Sequence, residues 1–127
     1  MLLYVTLGTN DLPRARHFYD PTLATIGIVP VMQNDSESGY GHPGDADASL
    51  YITTPHDTSK PASHGNGTML ALTAQTRAAV VAFHTTALVN GGSDEGAPGL
   101  RYAPNFFACY VRDPDGNKLS AVCTMAE

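Results

Sequence analysis

A chain of 127 residues with 43% hydrophobic and 15% charged side chains fits one folded domain, or two small modules sharing a core, rather than a disordered segment. Its formal charge is −5, with seven Lys and Arg and no run of them. That argues against nucleic acid or an anionic membrane surface as a partner, since both need clustered cations. The apolar runs are too short to span a bilayer. Met1 leads directly into strand-like sequence with no basic-then-apolar leader, so the expected location is cytoplasmic.

Taken in order, Leu2 to Leu7 reads as a strand ending at Gly8. Asn10 or Asp11 can cap the helix that follows, with Pro13 tolerated in its first turn. Pro21 should kink or end that helix, or open a second short one reaching Ile26 and stopped by Gly27. Three strands are predicted next, at Ile28–Gln33, around Ser38–Gly41 and at Ser49–Thr53. Thr54 to Gly67, rich in Pro, His, Ser and Gly, is a linker. Thr68–Thr73 reads as a strand, and Thr76 caps a helix from Arg77 to Asn90. Its apolar face is Val80, Phe83, Ala87 and Leu88, and Gly91-Gly92 ends it. Strand signal returns at Phe106–Val111, and a turn at Asp113-Pro114-Asp115-Gly116 leads into Lys118–Cys123.

The two halves repeat one list of elements. A shift of 65 residues, as from Leu7 to Leu72, also brings Phe18 onto Phe83, Leu23 onto Leu88 and Gly27 onto Gly92 without a gap. Matches at a strand, two helix-face positions and a helix stop point to a duplicated βαβββ module, with module one about 1–54, a linker about 55–66 and module two about 67–125 within one domain.

In that arrangement the chain resembles the vicinal-oxygen-chelate superfamily, the glyoxalase, bleomycin-resistance and extradiol-dioxygenase group. Tyr4 through Leu12 is similar to its first strand and helix start, and His17-Phe18-Tyr19 to the aromatic patch of its first helix. Asp113-Pro114-Asp115-Gly116-Asn117-Lys118-Leu119 resembles the turn before its last strand. Arg77 through Ala82-Phe83-His84 to Gly91-Gly92 and Gly96-Ala97-Pro98-Gly99 is similar to a bacterial lactoylglutathione lyase-like subgroup. The resemblance implies an α+β fold in which two βαβββ modules form a cupped, barrel-like mixed sheet with the helices outside. It also implies a divalent metal at the cup centre, held by His, Glu or Gln from the first and last strands of each module and able to stabilise an enolate or activate dioxygen.

Carried over residue by residue, the ligand positions fall on Tyr4, Tyr51, Met69 and Ser120. Phenols, a thioether and a hydroxyl are poor ligands for Zn²⁺, Ni²⁺ or Fe²⁺. The expectation is therefore no metal and no cofactor. If Tyr4 and Met69 face the cup, alternation turns Thr6 and Ala71 inward and sends Val122 the way of Ser120. Tyr51, Phe107 and Cys109 complete the expected lining, an apolar and partly aromatic small-molecule cavity. Cys109 and Cys123 read as buried reduced thiols. His17 and His84 lie on the helices, outside the cup, whereas loop residues His42, His56 and His64 can reach its mouth and act near neutral pH.

Three classes of function stay open. One is metal-free binding of a small organic molecule, as in the drug-resistance branch. Another is a lactoylglutathione lyase-like or dioxygenase-like enzyme using other ligands, a Tyr or a loop His. The last is a non-catalytic structural or partner subunit. A homodimer is expected, because short sheets leave edges to cover.

Overall fold

The computed structural model describes residues 1–127. The first unit is β1 (Val5–Gly8), α1 (Leu12–Ala24), β2 (Val29–Gln33), β3 (Glu37–Gly41) and β4 (Leu50–Thr53). The second is β5 (Met69–Thr73), α2 (Arg77–Val89), β6 (Ser93–Leu100), β7 (Phe107–Arg112) and β8 (Lys118–Cys123). The fold is α+β, and each unit is βαβββ. The strands form two separate four-stranded mixed sheets, ordered β1-β4-β3-β2 and β5-β8-β7-β6, rather than a closed barrel. In each sheet the first strand runs parallel to the last, and the other pairs are antiparallel.

Both helices are 13 residues long and lie in step at the predicted offset, Leu12 answering to Arg77 and Ala24 to Val89. Strand register extends the correspondence. Thr6 sits opposite Tyr51 in the first sheet, and Ala71 opposite Ser120 in the second. Local chemistry sets the helix starts: the Asp11 carboxylate accepts from the Arg14 N–H at 3.0 Å, and the Thr76 hydroxyl from the Ala79 N–H at 3.0 Å. At the far end Gly91 takes a φ of 98°, where a side chain would be strained.

Three expectations change. α1 runs unbroken through Pro21 to Ala24. The proline removes one backbone donor, but Phe18, Tyr19, Thr22 and Leu23 are buried on either side of it, and that packing holds the turn. Ser93–Leu100, Gly-, Pro- and acid-containing and without strand signal, forms β6. It is an edge strand with two register shifts against β7, the place in a sheet where Pro and Gly are tolerated. Leu88 is 38% exposed, so the buried face of α2 is Val80, Phe83 and Ala87.

One core joins the units. Phe18, Tyr19 and Leu23 of α1 and Val80, Phe83 and Ala87 of α2 pack with Leu7, Leu50 and Ile52 of the first sheet and Val111, Leu119 and Ala121 of the second. The 113–117 turn then ties the second unit to the start of the first. The Asn117 amide donates to the Gly8 carbonyl at 3.0 Å, while the Asp115 carboxylate accepts from the Thr9 hydroxyl at 2.5 Å and from the Asn10 N–H at 2.9 Å, and pairs with Arg14 at 2.8 Å. With helices on one face of each sheet, alternation leaves the opposite faces open.

Candidate binding site

On the open face of the first sheet stand Thr6 from β1, Tyr51 and Thr53 from β4 and Glu37 from β3, with Tyr4 just before β1. With His56 they line a recess of about 320 Å³. The Tyr4 and Tyr51 rings meet edge to face, centres 5.3 Å apart, and Tyr4 remains 54% exposed. Gly39 of β3 pairs with Tyr51 of β4. A Cβ on that glycine would stand 2.6 Å from the Ala48 Cβ, 2.8 Å from Met32 Cγ and 3.1 Å from the Tyr51 ring, so a side chain at this position would displace its neighbours. Two phenols, a carboxylate, an imidazole and two hydroxyls thus surround one small opening.

Of the three loop histidines, His56 alone lines this recess. His42 borders other recesses, together with Ile28 and Leu72. The His64 ring sits beside Gly116, with Nδ1 3.0 Å from the Gly65 carbonyl oxygen. On the helices, His84 Nε2 is 2.9 Å from the Asp94 carboxylate, and His17 is exposed.

The open face of the second sheet carries Met69 and Ala71 on β5, Lys118, Ser120 and Val122 on β8, and Tyr110 and Arg112 on β7. Met69, Tyr102, Phe106, Tyr110, Arg112 and Lys118 border a recess of about 540 Å³. Ala71, Val122, Thr73 and Phe106 border a smaller one of about 200 Å³. Ser120 is fully buried, and its hydroxyl has no hydrogen-bond partner.

Phe107 and Cys109 do not line a cup. They lie on the other face of β7: Cys109 is in the core with its thiol 3.6 Å from the Val80 carbonyl, and Phe107 packs against the core under the Arg77 guanidinium at 5.5 Å. Burial pushes the Cys109 thiol up from its ordinary value. The strand's alternation was legible in the sequence, but which face meets α2 is fixed by pairing. Tyr110 is set directly opposite Ser120, so Tyr110 and Ala108 take the open side. Cys109 and Cys123 are both buried and free.

The expected lining residues therefore divide between two sheets. The recess around Tyr4, Thr6 and Tyr51 includes none of Met69, Ala71, Ser120 and Val122. The four ligand positions of the resemblance do not fit a divalent transition metal: their donors are two phenols, a thioether and a buried hydroxyl, split between the two faces. No group of three or more His, Cys, Asp or Glu side chains lies close enough together to hold one elsewhere. No helix is long and apolar enough to cross a membrane.

What the sequence reading missed is the cluster around Tyr110. Arg101 and Lys118 lie 5.8 and 5.7 Å from its ring centre. Burial first, and then the neighbouring Tyr102 hydroxyl, raise the Tyr110 phenol above its ordinary value. The signal available was parity: Tyr110, Arg112, Lys118 and Ser120 alternate across the 113–117 turn onto one face.

Comparison with known proteins bears on the whole chain. The sequence model of the Glyoxalase/Bleomycin resistance protein/Dioxygenase superfamily matches residues 1–120. A glyoxalase/bleomycin resistance protein from Albidiferax ferrireducens T118 is 40% identical, with a TM-score of 0.83 over 94% of this chain and 95% of that one. Likeness in fold alone extends to a glyoxalase-related enzyme from Fulvimarina pelagi, at 20% identity, TM-score 0.74 and 97% and 87% coverage. It extends also to a lactoylglutathione lyase from Agrobacterium tumefaciens, at 17% identity, TM-score 0.64 and 97% and 92% coverage. Among the curated proteins none matches.

Proposed function

The chain belongs to the glyoxalase/bleomycin resistance protein/dioxygenase superfamily, and from that premise we propose that it binds a small organic molecule on the open faces of its sheets, without the superfamily's divalent metal. The observation that carries this is the Tyr4–Tyr51 pair. Two aromatic rings are held edge to face, Tyr51 beside Gly39, on a face that the core does not use, with Tyr4 left 54% exposed. Rings fixed at the mouth of an open recess, with hydroxyls beside them, suit an organic ligand of modest size. Replacing Tyr4 and Tyr51 together by Ala should abolish amide shifts caused in this recess by aromatic fragments in NMR titrations. Unchanged shifts in the folded double variant would defeat the reading.

The protein works as a two-fold dimer in this proposal. Leu2, Leu3, Tyr4, Met69, Leu100 and Tyr102 are all more than 40% exposed, and a second copy laid on these faces would cover them and close the recesses.

One observation favours a second reading, a metal-free acid–base enzyme. Glu37 and His56 line the same recess as the two tyrosines, so a proton donor and an acceptor border one ligand position. Loss of turnover in His56→Ala and Glu37→Gln, on any substrate that binds there, would support it. Lactoylglutathione lyase turnover itself should stay below about 10 s⁻¹, an ordinary enzymatic rate. An enolate formed beside Glu37 and the two tyrosines would have no Lys or Arg among the lining residues to stabilise it.

A further inference from the structure

We propose that the open face of the second sheet is an anion subsite that holds a planar aromatic carboxylate against Tyr110, an inference that rests on the binding reading above and names its ligand class. The chain is acidic and has seven Lys and Arg, yet Arg101 and Lys118 lie 5.8 and 5.7 Å from this one ring centre, and Arg112 and Lys118 border the same recess. Arg112 is already satisfied, by Glu95 at 2.5 Å and by the Gly116 carbonyl at 2.8 Å. Arg101 donates to the Ala97 carbonyl at 2.6 Å, but neither it nor Lys118 has a carboxylate within ion-pair reach; the three pairs present in the chain involve Arg14, His84 and Arg112. Two like charges flanking one tyrosine repel each other, and an anion placed between them offsets that repulsion.

The aromatic requirement comes from the walls. Tyr102 is 91% exposed and is the one non-glycine residue with positive φ, at 56°. The chain spends backbone strain there to stand a ring at the recess edge, braced edge to face on Phe106 with centres 5.5 Å apart. Met69, 45% exposed, completes an apolar border. A bare inorganic anion would use the charges and leave these surfaces wet, whereas a flat aryl carboxylate uses both. The recess, about 540 Å³, has room for two fused rings.

The test titrates the isotope-labelled full chain with 2-naphthoate and with 2-naphthamide, which share shape and differ in charge, and follows backbone amides by NMR. The proposal expects naphthoate to bind about tenfold or more tightly than naphthamide, with shifts centred on Ala108–Arg112 and Lys118–Ser120. Arg101→Gln and Lys118→Gln should each weaken naphthoate and leave naphthamide unchanged, the spectra of both variants reporting that they remain folded. Equal affinity for the two compounds, shifts confined to the Tyr4–Tyr51 recess, or indifference to both variants would overturn the anion subsite while the binding reading stands. No shift on either face with either compound would overturn both.

Discussion

The Tyr19 hydroxyl donates a 2.5 Å hydrogen bond to the Asp113 carboxylate, joining the first helix to the last turn across 94 residues of sequence. Asp113 also accepts from the backbone N–H groups of Asp115 and Asn117 at 2.9 Å and from the Asn117 side chain at 2.8 Å. Burial raises this carboxyl above the usual carboxylate range despite those donors, which pull the other way. Tyr19 thus helps hold a buried acid in place. Tyr19→Phe should destabilise the protein by about 1.5–3 kcal/mol, the worth of a hydrogen bond to a charged group. Urea unfolding checks this, and a loss within error of zero would show that the other donors suffice.

Alkaline titration tests the same joint from the other partner. Burial, then the neighbouring Asp113, push the Tyr19 phenol well above its ordinary value of 10.0. Burial and the Asp20 carboxylate, which accepts from Tyr40 at 2.7 Å, raise Tyr40 as well. The folded state therefore binds these two protons more tightly than the unfolded state. Their contribution to stability is complete below pH 10.0 and is lost as pH climbs through the folded values. Phenolate absorbance should rise in two stages, the later one coinciding with loss of the circular dichroism of the fold. A single stage finished before unfolding would contradict the buried placement of Tyr19 and Tyr40.

The chemistry of Tyr4, Tyr51, Met69 and Ser120 predicts a protein that purifies without stoichiometric transition metal. Chelator treatment should leave the melting temperature in place, because no metal-binding energy is linked to folding. Elemental analysis giving about one Zn, Ni, Mn or Fe per chain would refute this.

Light scattering at micromolar concentration should return about twice the 13.4 kDa chain mass. If exposed Leu2, Leu3 and Tyr102 are the contact, Leu3→Asp and Tyr102→Asp should each shift the protein toward monomer. A wild-type protein that is already monomeric would show that these side chains stay in solvent.

The sequence by itself determined much of the element list. Helix starts follow from Asp11 and Thr76 as caps, the end of α2 from Gly91, and the last hairpin from Asp113 through Asn117, because each signal acts over a few residues of backbone. The duplication was legible for the same reason, since equal helices in step leave matching apolar positions. Alternation also put Tyr4 and Thr6 on one face of the first strand, and the resemblance set Tyr51 beside them. What only the tertiary structure decided depends on contacts between distant segments. Pro21 stays helical because the core holds both sides of it, and Ser93–Leu100 becomes a strand because β7 lies beside it. Phe107 and Cys109 turn toward α2 because Tyr110 pairs with Ser120. The expected lining divides between two sheets because strand pairing closes within each unit. Lys118 shares a face with Tyr110 by alternation across the 113–117 turn, whereas Arg101 reaches that ring only because β6 pairs with β7.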